Sequence, residues 1–487
     1  KNKETIRRSF KLDRYVMDYA EFVSKPKSMV VAPAGYGKTH AIADCLKYTE
    51  GKQLILTHTH AGVASLKEKI QGQGIACDKY RVETISSFAQ KYVNAFYCGN
   101  DVPEQDDTKG YYPFIIEKAK NLFEITPIRD VIKATYSGLF VDEYQDCTIA
   151  QHNLIKALGC ILPTRVLGDH LQGIFGFNGE ALIDFEQDLI DFEKFPDLSQ
   201  PWRWEDKNHD LGESLKGIRE QLERRINIDL NLWAVHIEII QTEELDKHTP
   251  GSDYNKKIWA LTNEADVLVI HPDSSNLNVR KDFTSRFNNA FVLIEAIDSK
   301  DFYEFSRKFD NIDSNNSYGI IYDLIPHLFN GTKCRNKWFN QNGVKRKTSE
   351  SDKKIIEPIR KDIERIKQKT SLSIISKILK QIKDLPDMKC YRKELFSDLC
   401  RALEQAEHKG ISVYEAMKEI RNIKRRMGRK VKGRCIGTTL LTKGLEFDTV
   451  AVLDAHNFKC PKNFYVAITR ACRRLIIFTN SKILSPY

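Results

Sequence analysis

The 487-residue sequence predicts an α/β protein built from two parallel-sheet units, the second of them split by a helical insertion. Three observations point there. Short apolar runs alternate with amphipathic segments through the first 180 residues, and the rhythm returns after residue 235. Between about Asp301 and Lys432 the pattern changes to Lys, Glu, Ile and Leu at three- and four-residue spacing, which reads as helix. Finally, polar motifs follow the apolar runs directly, where a parallel sheet gathers its ligand loops.

Taken in order, Met29–Ala32, Leu54–Thr57, Leu139–Val141 and Arg165–Gly168 read as buried parallel strands, each leading into a polar loop. A small insertion is expected from about Phe88 to Asp130, with Gly99–Gly110 as a turn-rich loop inside it. Val235–Ile240, Val267–Ile270 and Phe291–Ile294 resume the strand pattern, followed after the insertion by Cys435–Thr438, Thr449–Leu453 and Leu475–Phe478. Within the long helical stretch, Ile355, Ile359, Ile363 and Ile366 mark an apolar stripe, and Asn311–Ser317 and Gly343–Asp352 are the expected loops.

Composition narrows the class. The net charge of +10 suits a nucleic-acid partner without requiring one. No apolar run is long enough to cross a membrane, and no leader is visible in the first twenty residues, so a cytoplasmic protein is expected. The eleven cysteines are scattered with no Cys-x-x-Cys pair, which argues against a zinc site, an iron–sulfur cluster or a disulfide framework.

The chemistry lies in five ordered motifs. Ala32-Pro33-Ala34-Gly35-Tyr36-Gly37-Lys38-Thr39 has the make-up of a phosphate loop ahead of a helix. Ala34, Gly35 and Gly37 let backbone N–H groups face phosphates, Lys38 brings a cation to the β- and γ-phosphates, and Thr39 offers Mg²⁺ a hydroxyl. Asp142-Glu143, at the end of the run Gly138–Val141, supplies a metal carboxylate (Asp142) and a base for the attacking water (Glu143). Gln172, in Gly168-Asp169-His170-Leu171-Gln172, can bridge the γ-phosphate and that water. Arg203 and Arg470 are candidate cations for transition-state charge, a role worth about 10³–10⁵ in rate in phosphoryl-transfer enzymes. The cofactors expected are ATP and Mg²⁺.

With Asp142-Glu143-Tyr144-Gln145-Asp146, Lys443-Gly444-Leu445-Glu446-Phe447 and Val466-Ala467-Ile468-Thr469-Arg470 added, the chain resembles superfamily 1 helicases of the UvrD/Rep/PcrA type. That resemblance implies two RecA-like P-loop NTPase domains with small helical insertion domains. The first would comprise 1–87 and 131–197, interrupted by 88–130; the second would comprise 198–300 and 433–487, interrupted by a reduced insertion at 301–432. It implies a nucleotide cleft into which Arg203 and Arg470 reach from the second domain, with Glu446 on the ribose. The base would lie between Trp202 and His40. Two departures stand out: no glutamine precedes Gln53 to read adenine, and Asn178 replaces the family's arginine.

The resemblance also implies 3′-to-5′ movement on single-stranded or partly duplex DNA. Phe175 and Phe177 fall where bases stack, an interaction worth about 1–3 kcal/mol per base, or else belong to the core. His58, Thr59, Thr84, Ser87 and Thr438 fall where the family touches the DNA strand. The basic run Arg421, Lys424, Arg425, Arg426, Arg429, Lys430, Lys432 and Arg434 reads either as a phosphate contact or as a solvated helix face; Lys345, Arg346 and Lys347 favour the solvated reading. Two roles remain open from sequence: a helicase or translocase, and a DNA-sensing ATPase that regulates a partner nuclease, as in prokaryotic anti-phage systems.

Overall fold

Six strands form the first sheet: β1 (Lys27–Val31), β2 (Gln53–Thr57), β3 (Tyr80–Thr84), β4 (Gly138–Val141), β5 (Thr164–Gly168) and β6 (Glu193–Lys194). Their order is β3-β2-β4-β5-β1-β6, and each neighbouring pair is parallel. The computed structural model describes residues 17–103, 107–174, 181–272, 277–295, 300–329, 332–386, 388–427 and 431–487, with residues 61, 108, 332–334 and 424–427 in backbone only.

The two-residue period of a strand is visible in the packing. Met29, Val31, Leu54, Leu56, Leu139, Val141 and Val166 enter one core, beneath the helices Ile85–Phe96, Thr108–Leu122 and Ile149–Gly159. Val30, Ile55, Val82, Phe140 and Leu167 enter the opposite core, beneath Lys38–Cys45 and His60–Gly72. Helices on both faces are what a wholly parallel sheet requires. The expected insertion is helical, but Phe88, Tyr92, Tyr111 and Ile115 pack directly into the sheet's own core.

The second sheet comprises β7 (Glu238–Gln241), β8 (Val267–Ile270), β9 (Val292–Leu293), β10 (Arg434–Gly437), β11 (Phe447–Val452) and β12 (Ala471–Thr479). Its order is β9-β10-β8-β11-β12-β7, with parallel registers for β9–β10, β10–β8, β8–β11 and β12–β7. The fold is thus mixed α/β with two six-stranded, RecA-like sheets. Between β9 and β10, among the described residues, seven helices from Lys300–Asp310 to Val413–Met427 gather a separate core of Phe, Ile and Leu side chains. Along Glu350–Gln368 the buried stripe is Ile356, Ile359, Ile363 and Ile366; Ile355 is exposed, because the inward register starts one residue later than the sequence suggested. The expected loop Gly343–Asp352 instead opens with a two-residue ladder, Phe339–Asn340 against Gly343–Val344, and enters that helix at Glu350.

Contacts divide the chain into two units. The first runs to Ile237 and also holds Phe458–Arg474 and Ile483–Tyr487; the second holds Glu238–Asn457 and Leu475–Lys482. The division therefore falls forty residues beyond the expected boundary at 197/198. Among the described residues no helix is long and apolar enough to cross a membrane.

Candidate nucleotide site

Because the first sheet is parallel, the carboxyl ends of β1, β2, β3, β4 and β5 share one edge, and the phosphate loop, Asp142-Glu143 and the Asp169–Gln172 turn all leave from it. After β1 the chain turns through Gly35 (φ +79°) and Gly37 (φ +82°) into the helix Lys38–Cys45. A Cβ on Gly35 would lie 2.7 Å from the Trp204 ring, and one on Gly37 would lie 2.8 Å from Trp202. Glycine is required at both places, by backbone and by space. The Arg203 N–H donates to the Gly35 carbonyl at 3.0 Å, which closes Trp202-Arg203-Trp204 over the loop.

Lys38 Nζ lies 2.5 Å from Glu143 Oε1 and 3.1 Å from Asp142 Oδ1. Burial works against the lysine's charge, yet the carboxylates of Asp142 and then Glu143 outweigh it and hold the ammonium above its ordinary range. Burial also raises the Asp142 carboxyl; Lys38 opposes the rise and Glu143 adds to it. Glu143 adopts left-handed backbone (φ 56°), a conformation costly for a residue with a Cβ. Its amide donates to Asp142 Oδ1 at 2.9 Å, and its carboxylate accepts from Gln145 Nε2 at 2.5 Å. In this turn the carboxylate lies between Lys38 and Gln145.

Behind this group lies Asp169, wholly buried at the end of β5. It accepts from the Ala34 amide at 3.2 Å, from Leu171 N–H at 3.2 Å and from Gln172 Nε2 at 2.8 Å. The Gln145 carbonyl oxygen in turn accepts the Asp169 amide at 2.9 Å. One chain of hydrogen bonds thus joins the phosphate loop, the paired acids and Gln172. Sequence reading assigned no role to three members of this network: Gln145 and Asp169, both inside quoted motifs, and Arg219, which donates to both Asp169 oxygens; the spacing Asp-Glu-x-Gln could have pointed to the first.

The remaining candidates divide by unit. Arg203 and Arg470 both fall in the first contact unit, where Arg203 Nη1 donates to the Thr469 carbonyl at 2.5 Å and Trp204 Nε1 to the Ala471 carbonyl at 2.7 Å, just where the chain enters β12. Arg470 is buried, with Nε on the Val466 carbonyl at 2.9 Å. Trp202 and His40 are both exposed beside the phosphate loop, and His40 Nδ1 meets Gln73 Nε2 at 3.1 Å. Thr438 and Glu446 lie in the second unit; Thr438 caps the short helix Thr439–Thr442, and Glu446 is exposed.

Among the strand-contact candidates, Thr59 and Thr84 are helix N-caps, bonded to Gly62 N–H and Ser87 N–H at 3.0 Å each. Ser87 Oγ also accepts from Thr84 Oγ1 at 2.7 Å, so part of this hydroxyl pair's capacity is already used locally. His58 Nε2 sits 3.5 Å from Cys147 Sγ. Phe175 and Phe177 lie outside the described residues. At the described ends of the basic run, Arg421 is buried 2.7 Å from Asp398 and Arg434 donates to the carbonyls of Ala290 and Glu264, bonds that tie both side chains to the fold.

The donor set suits a hard cation: the Thr39 hydroxyl and the Asp142 carboxylate supply oxygen ligands of the kind Mg²⁺ takes with substrate phosphates. Comparison with known proteins adds the following. Residues 19–178 match the family model described as "AAA domain". No curated protein matches the chain. Among solved structures, the arterivirus nonstructural protein 10 helicase in complex with DNA aligns over 94% of this chain and 64% of its own, at 11% identity and a TM-score of 0.35. The PRRSV helicase aligns over 95% and 54%, at 9% identity and a TM-score of 0.35. The chain therefore spans less than two thirds of the length of either structure, and likeness at this level leaves the assignment to the residues themselves.

Proposed function

We propose that the chain is a nucleic-acid-dependent ATPase motor, a helicase or translocase that moves on single-stranded DNA. The single observation that carries the reading is Lys38 held against Asp142 and Glu143 at the edge where a glycine-turned loop enters a helix. A structural salt bridge needs neither the two tight glycines nor a glutamate held in left-handed backbone.

In the proposed reaction Lys38 draws the β- and γ-phosphates to the loop, and the N–H groups at the start of Lys38–Cys45 fix them. Mg²⁺, held by Thr39 and Asp142, would neutralise charge on the phosphate oxygens. Glu143 takes a proton from the attacking water as its oxygen bonds to the γ-phosphorus and the bond to the β–γ bridging oxygen breaks. Gln172 orients that water, and Arg203 and Arg470 offer positive charge to the phosphoryl group in transit. Trp202 presents an exposed indole face for the base, with His40 nearby. Phe175 and Phe177 are proposed to stack bases of the strand, and movement is proposed to run 3′ to 5′.

The test is the steady-state hydrolysis rate with and without single-stranded DNA, with Glu143→Gln as the blank. Stimulation by DNA is expected, along with displacement of a strand from duplexes carrying a 3′ tail. Hydrolysis unchanged by DNA would overturn the coupling, and stimulation by RNA alone would replace the track.

A further inference from the structure

We infer that Arg219 is a positioning residue for nucleotide hydrolysis, acting through Asp169 to hold Gln172 and the phosphate loop in a fixed relation. The inference rests on the proposed reading of the site. Arg219 stands in the helix His209–Glu223, fifty residues from its partner, in a segment that carries no motif.

The geometry is that of a clamp. Arg219 Nη1 donates to both Asp169 oxygens, at 2.8 and 3.0 Å, and Nη2 reaches Glu223 Oε1 at 2.9 Å. Both partners are buried, so the pair works in a poorly screened setting where its geometry is strongly held. Asp169 has no side-chain freedom left: the same two oxygens also accept Ala34 N–H, Leu171 N–H and the Gln172 side-chain amide. Ala34 is the residue before the first glycine of the phosphate loop, and Gln172 is the proposed water-orienting amide. A carboxylate that bonds to both fixes their separation, and Arg219 fixes the carboxylate.

The guanidinium also lies over the Tyr465 ring, 5.1 Å from its centroid. Tyr465 is fully buried in the helix Pro461–Ile468, whose end leads into Thr469 and Arg470. Arg219 therefore touches, on one side, the residue that sets Gln172 and, on the other, the helix that ends at a proposed catalytic arginine. An ordinary structural ion pair would secure two elements; this one lies between three groups assigned to one reaction.

The experiment measures ATP·Mg²⁺ affinity, kcat and melting temperature for wild type, Arg219→Met, Arg219→Lys and Arg219→Met/Asp169→Asn. Arg219→Met should bind nucleotide close to wild type, since the glycines and Lys38 are untouched, while kcat falls by about ten- to a hundredfold. Arg219→Lys keeps the charge but offers one nitrogen where Arg219 uses two, Nη1 on Asp169 and Nη2 on Glu223, so it should recover part of kcat at unchanged affinity. The double variant should regain stability without regaining kcat, which separates positioning from folding. A folded Arg219→Met with wild-type kcat would overturn the inference, as would affinity and kcat falling in parallel with no recovery in Arg219→Lys. If Arg219→Met does not fold, Arg219→Lys decides: a kcat equal to wild type overturns the inference. A wild-type chain no faster than the Glu143→Gln blank would overturn the hydrolytic reading itself, and that control tells the two failures apart.

Discussion

Replacing Lys38 with Met tests whether the site's electrostatics are as described. The substitution keeps most of the side-chain volume and removes the cation between Asp142 and Glu143. Breaking a fully buried pair costs about 3–5 kcal/mol, because the surviving partner is left charged without compensation. Here two carboxylates survive; Asp142 is 6% exposed and Glu143 33%, so Glu143 can recover water and the expected loss is about 2–3 kcal/mol at pH 8. The loss should depend on pH with a definite sign. Burial and the Glu143 charge already raise Asp142, and without Lys38 only the Glu143 amide bond opposes them, so the folded variant holds a proton more tightly than the unfolded chain does. Stability falls with rising pH wherever the folded state binds more protons. The deficit against wild type should therefore shrink as pH is lowered from 8 toward the ordinary carboxylate range and widen again on return. Wild type should show the opposite protection at the alkaline end. The raised Lys38 contributes stability that is fully present below its ordinary value of 10.5 and is lost only as pH climbs through the folded value above it. Urea unfolding of both proteins between pH 5 and 9, alongside nucleotide binding, is the assay. A Lys38→Met variant as stable as wild type at pH 8, or one that still binds ATP at wild-type affinity, would refute the argument.

Glu143→Gln should bind ATP yet hydrolyse it about 10²–10⁴ times more slowly, as read by single-turnover kinetics, since an amide keeps the shape and one acceptor oxygen but takes no proton. Gly35→Ala and Gly37→Ala should differ, although both place a Cβ at positive φ. The Cβ at 35 meets the buried Trp204, while that at 37 meets the 57%-exposed Trp202, which can swing aside. Thermal melts should show a loss of about 2–4 kcal/mol for Gly35→Ala and about 1–2 kcal/mol for Gly37→Ala. In the helical insertion, Arg421→Met breaks the buried bond to Asp398 and should destabilise the second unit by about 3–5 kcal/mol in denaturant unfolding, part of it regained in Arg421→Met/Asp398→Asn.

What could be read from sequence was local. The strands Met29–Ala32, Leu54–Thr57 and Val267–Ile270 were legible because a strand buried on both faces is an uninterrupted apolar run. The motif loops were legible because phosphate chemistry needs particular residues at fixed spacing. Tyr80–Thr84 escaped: it lies at the edge of its sheet with Arg81 exposed, so its apolar signal is broken. Arg219 escaped for a different reason, since nothing within its own helix distinguishes it from a solvated arginine until Asp169 is brought alongside. Arg421 was the converse, a buried anchor concealed in a run of surface-like cations. The contact division at Ile237 was also illegible, because Arg203 meets the phosphate loop through a backbone bond to Gly35 that no periodicity encodes.

The contacts around Glu143 carry one further consequence. A glutamate paired with a lysine at 2.5 Å is a poor base, because the cation stabilises the very charge that would accept a proton. On the proposed reading, Lys38 would serve a phosphate only by loosening its hold on Glu143 and Asp142, so the same movement that binds the triphosphate would free the proposed base and metal carboxylate. Glu143 does not lose its place when Lys38 shifts, because Gln145 Nε2 still holds the second carboxylate oxygen and Gln145 is itself tied to Asp169. Binding and activation are thus one exchange of partners at Lys38, with Gln145 and Asp169 as the fixed frame against which it happens.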